Sequence, residues 1–281
     1  MFDTVEKLDH SLIQHGPFND RIYLMKLAQE DYPTILESLE KLAAKEHYTK
    51  ICSKVPADKT EAFEKNGYIR EARIPQFYGG KKEVVFMSRF VDHARSALSL
   101  EARSRIDKNL QIAAGKKEGM TLLTFPEGLT LRVLEEKDIK RLVELYKTVF
   151  KTYPFPIHDE EYLKQTMRED VIYFGAFSED RLVAASSAET DPAGLNAEMT
   201  DFATLPEFRG NNLSLMLLKE MEALMRKEGY HTVYTIARSL SAGMNVTFSK
   251  AGYLFGGTLI NNTQISGQIE SMNIWYKGLK L

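Results

Sequence analysis

The sequence predicts a mixed α/β fold, and three features carry that prediction. Short β-rich runs alternate with amphipathic helical runs along most of the chain, the pattern that lays helices over a mixed sheet. Strand pairs close each half: Arg73 to Phe90, joined by the turn YGGKKE, and YLFGGTLI with ESMNIWYKGL. Two segments also recur in order. EKLAAKEHYTKI (Glu40 to Ile51) is matched by EALMRKEGYHTV (Glu222 to Val233), and AFEKNGYI (Ala62 to Ile69) by TFSKAGYL (Thr247 to Leu254). Both copies run into a strand pair, so the first copy reads as a degenerate version of the back half of a second domain.

Taken in order, residues 1 to about 20 are polar and end in the turn-like run HGPFND. RIYLMKL (Arg21 to Leu27) reads as a strand. DYPTILESLEKLAAKEHY follows as a helix, with Asp31 or Thr34 as cap and Ile35, Leu36, Leu39 and Leu42 on one face. TKICSKV is a short strand, and DKTEAFEKNGY a helix ended by Gly67. Residues 91 to about 118 lack proline and are rich in Ala, Leu, Arg and Glu, which predicts a helix joining two domains. The expected division is 1–90, a linker helix over 91–120, and 121–281. The second domain opens with strand LTLRVL and helix EKDIKRLVELYKTVF, then passes through the loop YPFPIHDEEY to strands VIYFGAF and RLVAASSAE. A strand (Ala197 to Thr204), a polar turn (Pro206 to Asn212) and a long helix come next. That helix buries Leu213, Met216, Leu217, Met221, Leu224 and Met225 at three- and four-residue spacing. Strand HTVYTIA, helix MNVTFSKAG and the terminal strand pair complete the chain.

Composition narrows the partners. Of 281 residues, 43% are hydrophobic and 27% charged, and the formal net charge is −2. A nucleic-acid binder would show a basic excess, so no nucleic-acid partner is expected. No apolar run approaches the roughly 20 residues of a membrane helix, and no charged-then-apolar leader is visible. The single cysteine, Cys52, excludes an internal disulfide framework. Together these predict a cytoplasmic protein without a membrane partner. The six histidines show no HxxxH or HxH spacing, so no metal is expected.

The turn EFRGNN carries the first chemical signal. Backbone N–H groups at a helix N-terminus bear partial positive charge and bind phosphate. Taken alone, the turn would serve equally as an ordinary strand-to-helix connection. The order strand, Arg-Gly turn, helix, strand and then N-x-x-F-x-K-x-G-Y (Asn245 to Tyr253) resembles the GCN5-related N-acetyltransferase (GNAT) superfamily over roughly residues 121 to 281. The resemblance implies a GNAT acetyltransferase fold in the second domain and a degenerate GNAT-like half-domain in the first. It also implies acetyl-coenzyme A as co-substrate, its pyrophosphate held by the amides of a turn that the family writes Gln/Arg-x-x-Gly-x-Gly/Ala. Here the six positions are Glu207, Phe208, Arg209, Gly210, Asn211 and Asn212; Gly210 and Arg209 match, while Glu207 and Asn212 depart. Asparagine tolerates left-handed backbone, so Asn212 is expected to keep the turn's shape and Glu207 to point its charge away. By the same resemblance Leu213, Ser214, Asn245 and Phe248 join the cofactor site. Phe202, Ala203 and Thr204 would run beside the pantetheine arm, one of their N–H groups facing the developing oxyanion.

In this superfamily an amine attacks the acetyl thioester directly. An alkyl ammonium of pKa about 10.4 must first lose a proton, and the resemblance places the base at Glu198, on the strand before the turn. Strand alternation puts Asp201 on the opposite face. Phe248 stands where many relatives carry a tyrosine acid; Ser249 and Tyr253 are the neighbouring hydroxyls, and no acid is assigned. FKTYPFPIHDEEYLKQTM (Phe150 to Met167), EMTDFATLPEFRGNNLS and ESMNIWYKGL bring the resemblance closer, to the β-lysine N-acetyltransferases. Members of that family acetylate the ε-amine of β-lysine to give an osmolyte, and they carry a similar amino-terminal extension. A zwitterionic acceptor needs a cation for its carboxylate and acceptors for its β-ammonium. Arg238 is the candidate for the first; Asp201, Asn261, Asn262 and Glu270 are candidates for the second; Tyr153 and Phe155 are candidates for the wall. The alternatives are another small amine (lysine or a polyamine) and a non-catalytic coenzyme A sensor. The first domain has AQEDYP in place of an Arg-Gly turn. It is expected to bind no cofactor, to pack against or complete the second domain, and to offer a surface for a homodimer.

Overall fold

The computed structural model describes residues 3–116 and 127–279. The first half runs β1 (Thr4–Leu8), β2 (Ser11–Gly16), β3 (Arg21–Lys26), α1 (Ile35–Glu46), β4 (Lys50–Pro56), α2 (Thr60–Lys65), β5 (Ile69–Tyr78) and β6 (Lys82–Phe90). After α3 (Leu100–Ala114) the second half runs β7 (Leu129–Val133), α4 (Ile139–Val149), α5 (Glu160–Arg168), β8 (Val171–Ser178), β9 (Arg181–Asp191) and β10 (Asn196–Thr204). It ends with α6 (Leu213–Lys227), β11 (Thr232–Arg238), α7 (Ala242–Lys250), β12 (Leu254–Ile265) and β13 (Gln268–Gly278). All of these strands join one 13-stranded sheet, ordered β1-β2-β3-β4-β6-β5-β12-β13-β11-β10-β9-β8-β7.

That order is nearly a palindrome. β3-β4-β6-β5 in the first half reads in reverse as β12-β13-β11-β10 in the second, with β3 parallel to β4 and β10 parallel to β11. The segments that recur in the sequence occupy matching places, down to their caps. α1 and α6 each end at a left-handed residue, His47 (φ 59°) and Gly229 (φ 82°). The next N–H then reaches back to the helix: Tyr48 to the Ala43 carbonyl at 3.0 Å and Tyr230 to the Met225 carbonyl at 2.9 Å. After α2 and α7, Tyr68 and Tyr253 donate to the Phe63 and Phe248 carbonyls, each at 3.1 Å. In both copies the Phe and Tyr rings meet edge-on with centroids 5.1 Å apart.

Two local expectations change. β1 and β2 lie in the segment read as a polar lead; β1 exposes most of its side chains, so it shows no apolar run. The joining helix starts at Leu100, not near 91, because Ser99 caps it by accepting from the Ala102 N–H at 3.1 Å. Its expected end near 118–120 lies outside the described residues. α3 packs on α7, where the Ser249 hydroxyl donates to the Ala113 carbonyl at 2.7 Å.

The halves meet edge to edge at β5 and β12, where Gly257 faces Ala72. Gly257 has φ 140°, and a Cβ there would lie 2.3 Å from the Glu71 carbonyl oxygen, so only glycine lets the strands approach this closely. Buried Lys50 donates to Glu71 at 2.8 Å and to the Ile260 carbonyl at 2.7 Å, and Glu71 accepts the Ile260 N–H at 2.7 Å. Such a buried pair holds because its remaining protons and lone pairs are met. Nearby, the Asn261 amide donates to the carbonyls of Arg95 and Ala97. Asn261 is therefore taken up by this joint.

Each half has its own core under its helices: Ile22, Leu24, Leu39, Ile51 and Phe63 in the first, and Leu142, Met199, Leu217, Met221 and Phe248 in the second. A third core joins the opposite sheet faces, with Tyr23, Ile74, Phe77 and Phe86 against Tyr234, Leu259 and Ile274. Alternation along β3 explains the split: Ile22 and Leu24 face the helices, while Tyr23 and Met25 face the other half. The sheet thus turns back on itself, and the candidate site opens at the margin of this third core.

Candidate active site

β10 and β11 pair from Asn196–Thr232 to Glu198–Tyr234 and then part. A cavity of about 720 Å³ fills the opening, a volume suited to a small-molecule ligand. Thr200, Phe202 and Thr204 line it from β10, Ile236 and Arg238 from β11, and Phe150, Tyr153 and Phe155 from the loop after α4. The first half contributes Gln14, Arg21, Tyr23, Met25 and Lys54.

One end of the cavity is the turn before α6. Gly210 (φ 87°) and Asn212 (φ 56°) both take left-handed backbone. Met216 makes the first helical bond, to the Asn212 carbonyl at 3.0 Å, which leaves the N–H groups of Leu213, Ser214 and Leu215 without helical partners. Among the described hydrogen bonds none uses the N–H of Gly210, Asn211 or Asn212. Arg209, Gly210, Asn212, Leu213 and Ser214 line the cavity with Phe208. Glu207 turns outward to Arg181, at 2.7 Å; its own backbone N–H and that arginine hold its carboxyl below the usual range. Asn211 is exposed, its amide donating to the Phe208 carbonyl at 3.1 Å. Free N–H donors at a helix start, with the turn's own carboxylate paired to Arg181, fit a pyrophosphate.

In the middle lies a group of carboxyls. Glu198 stands opposite Glu189 on β9 and Tyr234 on β11. Alternation predicts Asp201 on the other face; the structure corrects this. β10 bulges between Thr200 (opposite Ser187) and Ala203 (opposite Ala185), with Asp201 at φ 53°. The extra residue turns Asp201 onto the Glu198 side, where it accepts from the Ser187 hydroxyl at 2.6 Å and from the Tyr153 hydroxyl. Burial pushes Glu198 up to about 7, opposed by Lys54 and by the Tyr234 hydroxyl that donates to it. Glu189 is held well above the usual carboxyl range by burial and by its neighbours Glu198 and Asp201. Burial also raises Asp201, against the hydrogen bonds from Ser187 and Tyr153.

Lys54 reaches this group from the first half. Its Nζ is 3.4 Å from the Tyr234 hydroxyl and 5.6 and 5.7 Å from the Phe77 and Tyr234 ring centres. Burial lowers its pKa while Glu198, Asp191 and Glu189 raise it. Because Lys54 favours ionised Glu198, Lys54→Met should raise the Glu198 pKa further. A pH–rate profile of the variant is expected to show the acid limb displaced to higher pH.

At the far end, Arg238 makes a two-pronged ion pair with Glu270, at 3.0 and 2.6 Å. Each therefore neutralises the other. Asn262 lines the cavity with its Oδ1 unpartnered. Asn245 stands apart: it is fully buried, donates to the Arg238 and Ser241 carbonyls, and accepts from Asn273 and Trp275. Its hydrogen-bonding capacity is spent on holding α7 to the sheet. Ala203 is buried behind the lining, whereas Phe248 reaches the cavity with its ring edge-on to Phe202. Ser249 points to α3 and Tyr253 packs behind Phe248, so neither hydroxyl faces the cavity. Glu189, Tyr234, Lys54, Tyr23, Arg21 and Gln14 also line the cavity, beyond the residues expected from the sequence. Only Glu189 left a signal, as an acidic end to the small apolar run LVAASSA. Among the described residues no helix is long and apolar enough to cross a membrane, and no acidic or histidine group is arranged to hold a metal ion.

The acetyltransferase (GNAT) family model matches residues 139–245. A protein named β-lysine N(6)-acetyltransferase from Methanococcus maripaludis is 40% identical over 279 residues, covering 98% of each chain. A protein named N-acetyltransferase YodP from Bacillus subtilis is 33% identical over 279 residues, 96% of each chain. A β-lysine N(6)-acetyltransferase from Methanosarcina mazei is 32% identical over 266 residues, 88% of this chain and 98% of its own.

Proposed function

The chain belongs to the GNAT acetyltransferase family and is an N-acetyltransferase, and on that premise we propose that it carries acetyl from acetyl-coenzyme A to N6 of β-lysine. The observation that carries this reading is one cavity joining a phosphate-fitting turn to the half-buried carboxyl of Glu198 beside Glu189 and Asp201. The names of the M. maripaludis and M. mazei relatives support the choice of acceptor.

The N–H groups from Gly210 to Leu215 would hold the pyrophosphate, and the parted edge of β10 at Phe202 to Thr204 would take the pantetheine arm. Bound there, acetyl-coenzyme A supplies the acetyl group as a thioester. Glu198 takes the proton from the incoming ammonium. An alkyl ammonium has a pKa of about 10.4, so a carboxylate near 7 accepts its proton with a smaller uphill step than one near ~4.3. A cationic acceptor entering beside Glu189 and Asp201 favours their ionised forms, and the pair then adds negative field that holds it. Beyond Glu198, backbone N–H groups on the β10 edge lack β11 partners and would face the developing oxyanion. Phe150, Tyr153, Phe155 and Phe202 cover the reacting end and keep water out. A coenzyme A thiol of pKa about 8.5 leaves without a side-chain acid.

On this reading residues 1–90 are a degenerate GNAT-like half-domain that lends a sheet face to the acceptor side, and 121–281 hold the catalytic machinery. The product, Nε-acetyl-β-lysine, keeps its zwitterion and suits an osmolyte. A reducing cytoplasm suits the buried free thiol of Cys52. A thiol-release assay with β-lysine, lysine and spermidine tests the proposal. β-Lysine is expected to give the highest kcat/KM; coenzyme A binding with no thiol release from any amine would leave only a sensor role.

A further inference from the structure

We infer that the far end of the cavity, formed by Arg21 and Gln14 of the first half with Asn262 of β12, binds the carboxylate of the acceptor and so selects amino acids over plain diamines. The inference rests on the β-amino acid reading above. Arg21 is only 4% exposed yet lines the cavity. Its guanidinium donates to the Asn262 carbonyl at 2.7 Å, the Thr263 hydroxyl at 3.2 Å and the Gln14 amide oxygen at 3.3 Å. All three are neutral oxygens. Among the described residues no carboxylate lies in ion-pair contact with it; the guanidinium faces the Tyr23 ring, 5.2 Å from its centre, and its Nε has no partner. A buried cation without an anion is costly unless something else supplies one. Arg238, by contrast, already has Glu270.

Two more residues lining the cavity carry unpartnered buried atoms. Gln14 is 1% exposed with its Nε2 unpartnered, and Asn262 is 3% exposed with its Oδ1 unpartnered. The free donors, Arg21 Nε and Gln14 Nε2, match a carboxylate; the free acceptor, Asn262 Oδ1, matches an ammonium beside it. That pairing is the head of an amino acid. Arg21 and the base line one cavity: Arg21 and Tyr23 share a face of β3, and both line the cavity with Glu198. A six-carbon diamino acid lying in that cavity would set its terminal amine at Glu198 and its carboxylate at Arg21. Specificity is thereby assigned to residues of the half that lacks the phosphate turn.

The test compares kcat/KM for β-lysine and for 1,4-diaminopentane, the same diamine without the carboxyl group, in the wild type, Arg21→Met and Gln14→Glu. The second variant sets a carboxylate against Arg21 from inside the protein, so it keeps the buried cation paired and should fold even where Arg21→Met does not. Acetyl-coenzyme A binding verifies that each variant is folded. The wild type is expected to prefer β-lysine by about 100-fold or more, the margin a dedicated polar site gives, and both variants to fall to within about threefold. A folded Gln14→Glu protein that keeps the wild-type preference overturns the inference alone. A wild type that prefers the diamine overturns the β-amino acid reading, and this site with it.

Discussion

Glu198→Gln is expected to lower kcat/KM for the acceptor by about 10²- to 10⁴-fold, the range of a lost general base. Glutamine keeps the side chain's shape and can still bond the Tyr234 hydroxyl, but it takes no proton from an ammonium. The wild-type rate should rise with pH through an inflection near 7, because the base works only when ionised and burial holds its pKa there. The variant should lack that inflection. Stability should move the opposite way. Glu198 has a folded pKa above its unfolded value, so its contribution is fully present below the unfolded pKa and is lost as pH rises through about 7. Removing the ionisable group removes that loss, so the variant should melt at a higher temperature than the wild type above pH 7. A variant that is both inactive and more stable at alkaline pH is the signature of a functional carboxyl kept where folding alone would not place it.

Gly210→Val is expected to raise the KM for acetyl-coenzyme A by about 100-fold. Gly210 sits at φ 87° with open space where a Cβ would be, so backbone conformation and not crowding is what valine violates. A β-branched residue avoids that region, and the turn would rotate its N–H groups away from the phosphates. Losing two charge-assisted bonds of about 1.5 kcal/mol each gives about that factor. Asn212→Val should act in the same direction but less strongly, since Asn212 lies at φ 56° and is followed at once by α6, which begins at Leu213. Asn212→Gly should leave the KM near wild type. Steady-state kinetics in acetyl-coenzyme A, with circular dichroism to follow folding, measures all three.

The features legible in the sequence are local ones. A helix face shows in the spacing of Met216, Leu217 and Met221, and a helix end in Gly67, which takes left-handed backbone after α2. The left-handed turn shows in Gly210 and Asn212 because few residues tolerate that backbone. Glu198 is legible as the acid on the strand leading into the turn. Asp201 is misread because a bulge is a two-against-one mismatch between strands, and alternation within one strand carries no trace of it. Lys54 and Arg21 are harder still. Each lies on a short strand of the first half, 144 to 177 positions before Glu198 (198 − 54 and 198 − 21). They reach the cavity only because the sheet turns back across the Gly257–Ala72 joint. Arg238 and Glu270 show the converse: both types suit a zwitterion's binding, and the fold pairs them with each other.

In the proposed complex the terminal amine of β-lysine meets Glu198 while the carboxylate end lies away from it. Incubation of the protein with β-lysine and acetyl-coenzyme A carbon-labelled in its acetyl group, followed by NMR of the product, tests this most directly. The label is expected on N6, with one coenzyme A thiol released per acetyl transferred. Label on the β-nitrogen, or no labelled product although acetyl-coenzyme A binds, would contradict it.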